Sequence, residues 1–142
     1  MLIELPYPPT VNHYWGQRGN RRFILKRGQE FRASVCAIVR AMGVEPMSGR
    51  VLVDTVVCPP DRRRRDLDNV CKATFDALAH AGVYDDDCQI DALHVERGAV
   101  VEGGMVTVRI IEVTDDQQAA LRAGWLLMLN TLDRGARVYV NA

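Results

Sequence analysis

VLVDTVVCPPDRRRRDLDNVCKATFDALAHAG, residues 51–82, is the stretch that decides the fold. Val51–Val57 is rich in β-branched residues and stops at Pro59 and Pro60, which cannot donate to a sheet ladder, so it reads as a strand. Asn69–Ala81 gathers Val70, Phe75, Ala77, Leu78 and Ala81 on one apolar face and ends at Gly82, so the spacing predicts a helix. Asp66 or Asp68 is its expected N-cap. Upstream, Leu2–Leu5 reads as a short strand halted by Pro6, Pro8 and Pro9. Thr10–Gly28 reads as a loop or irregular hairpin. Gln29–Met42 reads as a helix, with Phe31, Val35, Ile38, Val39 and Met42 at helical spacing and Gly43 after it. Downstream, Gln89–Val101 and Met105–Val113 are strand-like runs around Glu102, Gly103 and Gly104, which predict a hairpin turn. Asp115–Leu132 predicts an appended helix, and Arg137–Asn141 a short strand or tail. The fold class is α/β (α+β): a small mixed sheet with two core helices and a C-terminal helical extension.

A chain of 142 residues is long enough for one domain with a real core, and 48% hydrophobic against 25% charged residues excludes disorder over most of it. No apolar run approaches the roughly 20 residues of a membrane helix. The first residues lack the basic start and apolar stretch of a secretory signal. Both observations predict a soluble cytoplasmic protein that does not enter a membrane. Cys36, Cys58, Cys71 and Cys88 form no C-x-x-C pair, which argues against zinc and predicts free thiols packed as small hydrophobes. The net charge is zero, yet residues 1–72 carry +6 and residues 73–142 carry −6. That division suggests a basic surface for a polyanion and an acidic cluster for something else.

Asp61-Arg62-Arg63-Arg64-Arg65-Asp66-Leu67-Asp68-Asn69 is the densest charge pattern. If Arg65–Asp68 is extended, Asp66 and Asp68 point to one side and make a good ligand pair for Mg²⁺ or Mn²⁺. The alternative is a helix cap beside a solvated charge. Arginines bind phosphates by forked hydrogen bonds, and a metal site flanked by phosphate binders suits phosphodiester chemistry. A second acidic cluster follows at Asp85, Asp86, Asp87 and Asp91. Lys72 sits four residues beyond Asp68 and four before Asp76; it is either a rung in a surface ion-pair ladder or a charge aimed at a phosphate. Arg18, Arg21, Arg22, Lys26 and Arg27 follow Tyr14 and Trp15, a mixture suited to nucleic acid with the aromatics stacking on bases. His13, His80 and His94 are isolated and read as surface or packing residues.

Together, the stretch Asp61–Asn69, Lys72, Phe75-Asp76-Ala77-Leu78, Ala81-Gly82 and Asp86-Asp87 resembles the RusA family of Holliday-junction resolvases. The opening Leu5-Pro6-Tyr7-Pro8-Pro9-Thr10-Val11-Asn12 resembles that family's proline-rich start. The similarity covers residues 1–113, which makes these a RusA-like endonuclease domain, with 114–142 as a helical extension outside the pattern. The resemblance implies a homodimeric, phage- or prophage-type endonuclease of the bacterial cytoplasm that cuts four-way DNA junctions by paired symmetric nicks with Mg²⁺, Mn²⁺ being a possible substitute. It places the catalytic, metal-holding acids at Asp66, Asp68 and Asp87 and the functional lysine at Lys72. Asn69 and Asp86 match as supporting residues, and Asp85 is an extra acid. Arg62, Arg63, Arg64 and Arg65, with the Arg18–Arg27 loop, are the expected DNA contacts. The competing readings are a branched-DNA binder that does not cut and a phosphohydrolase of small nucleotides.

Overall fold

The structure is a computed structural model, and its described residues are 1–114, 116, 117, 119, 120, 123 and 124. The chain divides into two compact units, Met1–Glu112 and Val113–Ala142. In the first unit and its last strand the order is β1 (Leu2–Pro6), α1 (Val11–Tyr14), β2 (Trp15–Arg18), β3 (Arg21–Ile24), α2 (Lys26–Met42), β4 (Arg50–Cys58), α3 (Asp68–His80), a single 3₁₀ turn (Asp87–Gln89), β5 (Ile90–Arg97) and β6 (Met105–Val113). Four strands form one mixed sheet in the order β1-β6-β4-β5, and β2 pairs with β3 in a separate hairpin.

The β-branched run of β4 takes a central place. Val51, Val53, Thr55 and Val57 are buried in strict alternation, as are Val106, Val108 and Ile110 of β6. With Ile3 and Leu5 of β1, the valines and Ile110 of these strands pack against Phe31, Val35 and Val39 of α2 and Val70, Phe75 and Leu78 of α3. Period-two burial on strands meets period-3.6 burial on two helices, a two-layer α+β arrangement. Each such side chain contributes about 1.5–3 kcal/mol when fully buried.

Two expectations need correction. The run Gln89–Val101 and the run Met105–Val113 do not form a hairpin. β5 ends at Arg97 and pairs in parallel with β4, to which α3 connects it, while β6 lies on the other side of β4. Residues 98–104 instead carry the chain past the end of β4, where Gly98 N–H donates to the Val57 carbonyl (2.9 Å) and Val101 N–H to that of Pro59 (3.0 Å). The Gly-Gly pair makes a tight turn, but the central strand occupies the space a hairpin partner would need. The second correction concerns Thr10–Gly28, which is more ordered than a loop: it contains α1, the β2–β3 hairpin and the start of α2.

In the second unit, Thr114 N–H donates to Gln117 Oε1 (3.0 Å) and Gln117 N–H to Thr114 Oγ1 (3.3 Å). This reciprocal pair is a capping box. The described residues that follow, up to Gly124, are helical. The rest of the expected Asp115–Leu132 helix, and Arg137–Asn141, lie outside the described residues.

Candidate active site

The arginine loop between β4 and α3 is organised by an acid. Arg65 Nη1 and Nη2 donate to the two carboxylate oxygens of Asp61 at 2.5 and 2.9 Å, and the Arg63 backbone N–H donates to Oδ1 at 2.9 Å. These bonds hold the Asp61 carboxyl well below its ordinary range, Arg65 contributing most. Arg97 of β5 donates to the Arg65 carbonyl (2.6 Å) and ties the loop to the sheet. Arg65 is thus engaged within the protein, while Arg62, Arg63 and Arg64 extend into solvent. All four line a groove of about 550 Å³ together with Asp66 and Arg97.

Asp66 and Asp68 are both exposed, but not through strand alternation. Leu67 between them has helical torsions (φ −66°, ψ −38°), and its partly buried side chain packs on the core. The inward anchor at Leu67 leaves its two acidic neighbours in solvent. Neither aspartate caps α3: the N-cap position is Leu67, and Asp68 lies in the first turn, where the helix dipole favours a carboxylate. Asn69 Nδ2 reaches Asp66 Oδ2 at 3.4 Å, a long contact that orients the acid.

Helix α3 ends at His80; Gly82, two residues on, takes a φ of +80° that glycine adopts at little cost, and the chain turns back into the acidic segment. That segment is clamped by Gln89, a side chain that composition and charge gave no reason to select. Its Oε1 accepts from the backbone N–H of Asp85 (2.7 Å) and Asp86 (3.1 Å). Its Nε2 donates to the carbonyls of Met47 (3.0 Å) and Gly49 (2.8 Å). Asp86 Oδ1 in turn accepts from Cys88 N–H (2.8 Å), completing a capping box. The spacing Asp86-x-x-Gln89 was the available signal. Asp91 pairs with Arg50, which also donates to the Cys88 carbonyl of this turn (3.1 Å).

The clamp delivers Asp87 to α3. Lys72 Nζ donates to Asp87 Oδ2 at 2.5 Å and lies 2.9 Å from Asp76 Oδ1. Lys72 sits one helical turn inside Asp68, so Asp87 is held close to the α3 N-terminus. Hydrogen bonds to Asp87 and then Asp76 raise the Lys72 pKa and keep it an ammonium.

In the N-terminal hairpin, Arg18, Arg21 and Arg22 are exposed around a hollow they line with Phe23. Lys26 and Arg27 follow at the exposed start of α2. The stacking aromatics expected at Tyr14 and Trp15 are not open. Tyr14 is fully buried and its hydroxyl accepts from Arg32 (2.6 Å); Trp15 is covered by the Arg22 guanidinium, 4.3 Å from the ring centre. Phe23 is 45% exposed instead, its ring lying over Gly16, where a Cβ would come within 2.7 Å of it. The thiols also differ from expectation in one case: Cys88 is exposed.

Comparison with known proteins follows the same residues. The family model for Endodeoxyribonuclease RusA matches residues 6–111. The chain belongs to the RusA family. It is 41% identical over 110 residues to the crossover junction endodeoxyribonuclease of Enterobacteria phage HK97, covering 77% of this chain and 92% of that protein. It is 36% identical over 115 residues to the proteins of the same name from Enterobacteria phage 82 and Escherichia coli strain K12, covering 80% of this chain and 96% of each.

The RusA match takes in the arginine loop, the Asp66–Asp68 pair, Lys72 and the acidic turn. Among the described residues no three acidic, histidine or cysteine side chains already stand close enough to hold a metal ion. The donor set is nonetheless of the right chemistry for a hard divalent cation: all oxygen, and solvent-accessible at Asp66 and Asp68. Among the described residues, no helix of this RusA-family chain is long and apolar enough to cross a membrane.

Proposed function

We propose that this chain is a Mg²⁺-dependent, structure-selective endodeoxyribonuclease that resolves four-way DNA junctions by paired symmetric nicks. The observation that carries the reading is the Lys72–Asp87 contact. It joins the acidic turn to the α3 N-terminus, beside a loop of solvent-facing arginines. Asp66, Asp68 and Asp87 are the residues that would hold the cation, Mn²⁺ serving as a substitute. Bound there, a divalent cation supplies a nucleophilic water at neutral pH and charge for the departing oxygen. Lys72 places its ammonium beside the scissile phosphate, where negative charge grows in the transition state. Arg62, Arg63 and Arg64 hold phosphates in register without reading sequence, and Arg65 fixes their loop. Arg18, Arg21, Arg22, Lys26 and Arg27 extend that contact, with Phe23 as the open stacking surface. Asn69 orients Asp66, and Asp86 shapes the turn that carries Asp87.

The working assembly on this reading is a homodimer, because two-fold symmetry presents one site to each of two opposed strands. Half-exposed Leu2 and Ile111 are among the apolar residues it could cover. Residues 1–113 form the nuclease domain and 114–142 an extension, in a phage- or prophage-derived protein of the bacterial cytoplasm.

The test is a synthetic four-way junction with and without Mg²⁺, beside Asp66→Asn. The expected outcome is symmetric paired nicks that need the metal and fall by at least about a hundredfold in the variant, the scale of losing a positioned metal-site group. Tight junction binding with no product in Mg²⁺ or Mn²⁺ would establish a binder that does not cut. Cleavage of free nucleotides alone would establish a small-molecule phosphohydrolase.

A further inference from the structure

Among the described residues Lys72 has two acidic partners, and only one of them belongs to the proposed cation set. Its ammonium is 2.5 Å from Asp87 and 2.9 Å from Asp76. Asp76 lies one turn further along α3, and its side chain is only 14% exposed. One of its oxygens, Oδ2, is buried without a hydrogen-bond partner among the described residues. The Asp76 carboxylate therefore depends on Lys72 for its charge balance. Asp87, by contrast, is more open at 35% side-chain exposure.

We propose that Asp76 is a positioning residue: it holds the Lys72 ammonium when Asp87 takes up a divalent cation. Two cations cannot share Asp87 closely without strong repulsion. The ammonium must then leave Asp87, and leaving Asp76 as well would strand a poorly solvated carboxylate. Moving toward Asp76 satisfies both demands. The Lys72 side chain is 48% exposed, so space for that movement exists. In the metal-free protein the same ammonium neutralises Asp87 and keeps the acidic turn against α3. Lys72 is thereby a counter-charge before metal binding and a phosphate-facing charge after it, with Asp76 as the fixed post.

This inference rests on the metal reading above, and Mn²⁺ binding to the whole protein without DNA tests the two separately. Free Mn²⁺ would be measured by electron paramagnetic resonance for the parent, Asp76→Asn, Lys72→Ala and the double variant. Without the Asp76 charge, Lys72 stays on Asp87 and competes, so Asp76→Asn is expected to weaken Mn²⁺ binding roughly three- to tenfold, the range of one charge-assisted bond partly screened by solvent. Lys72→Ala is expected to tighten binding, and in that background Asp76→Asn should have no further effect. Asp76→Glu should restore affinity. Equal effects of Asp76→Asn in both backgrounds would overturn the positioning role. Absence of Mn²⁺ binding by the parent protein would overturn the metal reading itself. Should Asp76→Asn fail to fold, the parent and Lys72→Ala decide alone, since unchanged affinity between them removes the competition on which the proposal stands.

Discussion

Four adjacent arginines repel one another, and the loop that carries them keeps a defined path because Asp61 grips Arg65 in a two-pronged contact. A carboxyl held below its ordinary value stabilises the fold only while it is ionised. Its contribution is whole above the ordinary carboxyl value of 3.8 and is lost as pH falls toward the lower folded value. Asp61→Asn should therefore flatten the decline of urea midpoint between about pH 5 and pH 2, with little change at neutral pH beyond the lost bonds. Because Asp61 lies at the surface, the difference should shrink in high salt. An equally steep acid decline in the variant would show that Arg65 is held by something else. At this scale the sequence was informative about residue type and poor on partners. The Asp61–Asn69 stretch displayed its acids and bases openly. The bond from Lys72 to Asp87 spans fifteen positions and exists only because the turn after Gly82 folds back.

The acidic turn shows what an element adds. Gln89 is buried and joins Met47 and Gly49 to the backbone of Asp85 and Asp86 through four hydrogen bonds. Replacing it with alanine strands buried donors and acceptors, so Gln89→Ala should cost about 1–3 kcal/mol in chemical denaturation. It should also lower junction cleavage more than junction binding, because Asp87 loses its placement while the arginines keep theirs. A matched fall in both would mean that the variant damages the whole domain. Helix α3 was legible in advance because its apolar spacing and Gly82 are local signals. The pairing of β5 was not, because Glu102-Gly103-Gly104 looks the same whether the following strand lies next door or one place further. Only the competition among strands for the side of β4 decides it. The extended reading of Asp66–Asp68 failed for a similar reason: packing of Leu67 on the core set its torsions.

For the molecule as a whole, zero net charge conceals where the cations stand. Arg62, Arg63 and Arg64 face solvent, whereas Arg65 is spent on Asp61. If the exposed arginines meet phosphates, each neutralised contact steepens the salt dependence of DNA binding. Arg64→Ala should then reduce the log–log slope of junction affinity against salt by about one unit. Arg65→Ala should act mainly through stability, shifting the denaturation midpoint more than the slope. The sign split between the two halves of the sequence could not separate an arginine that binds outward from one that binds inward.

The order of strands also bears on how the protein is made. Among the described strands β1 has β6 as its sole neighbour in the sheet, so Pro6 waits for Met105. At about 5–20 residues per second on the ribosome, that interval is on the order of 5–20 seconds. The arginine loop, Lys72 and the acidic turn all leave the ribosome within it, before the sheet that supports them can close. A nascent chain interrupted short of Met105 carries every residue of the candidate site and lacks the scaffold to align them. The last strand synthesised in the family-matched region thus acts as the assembly checkpoint for a potential DNA-cutting site.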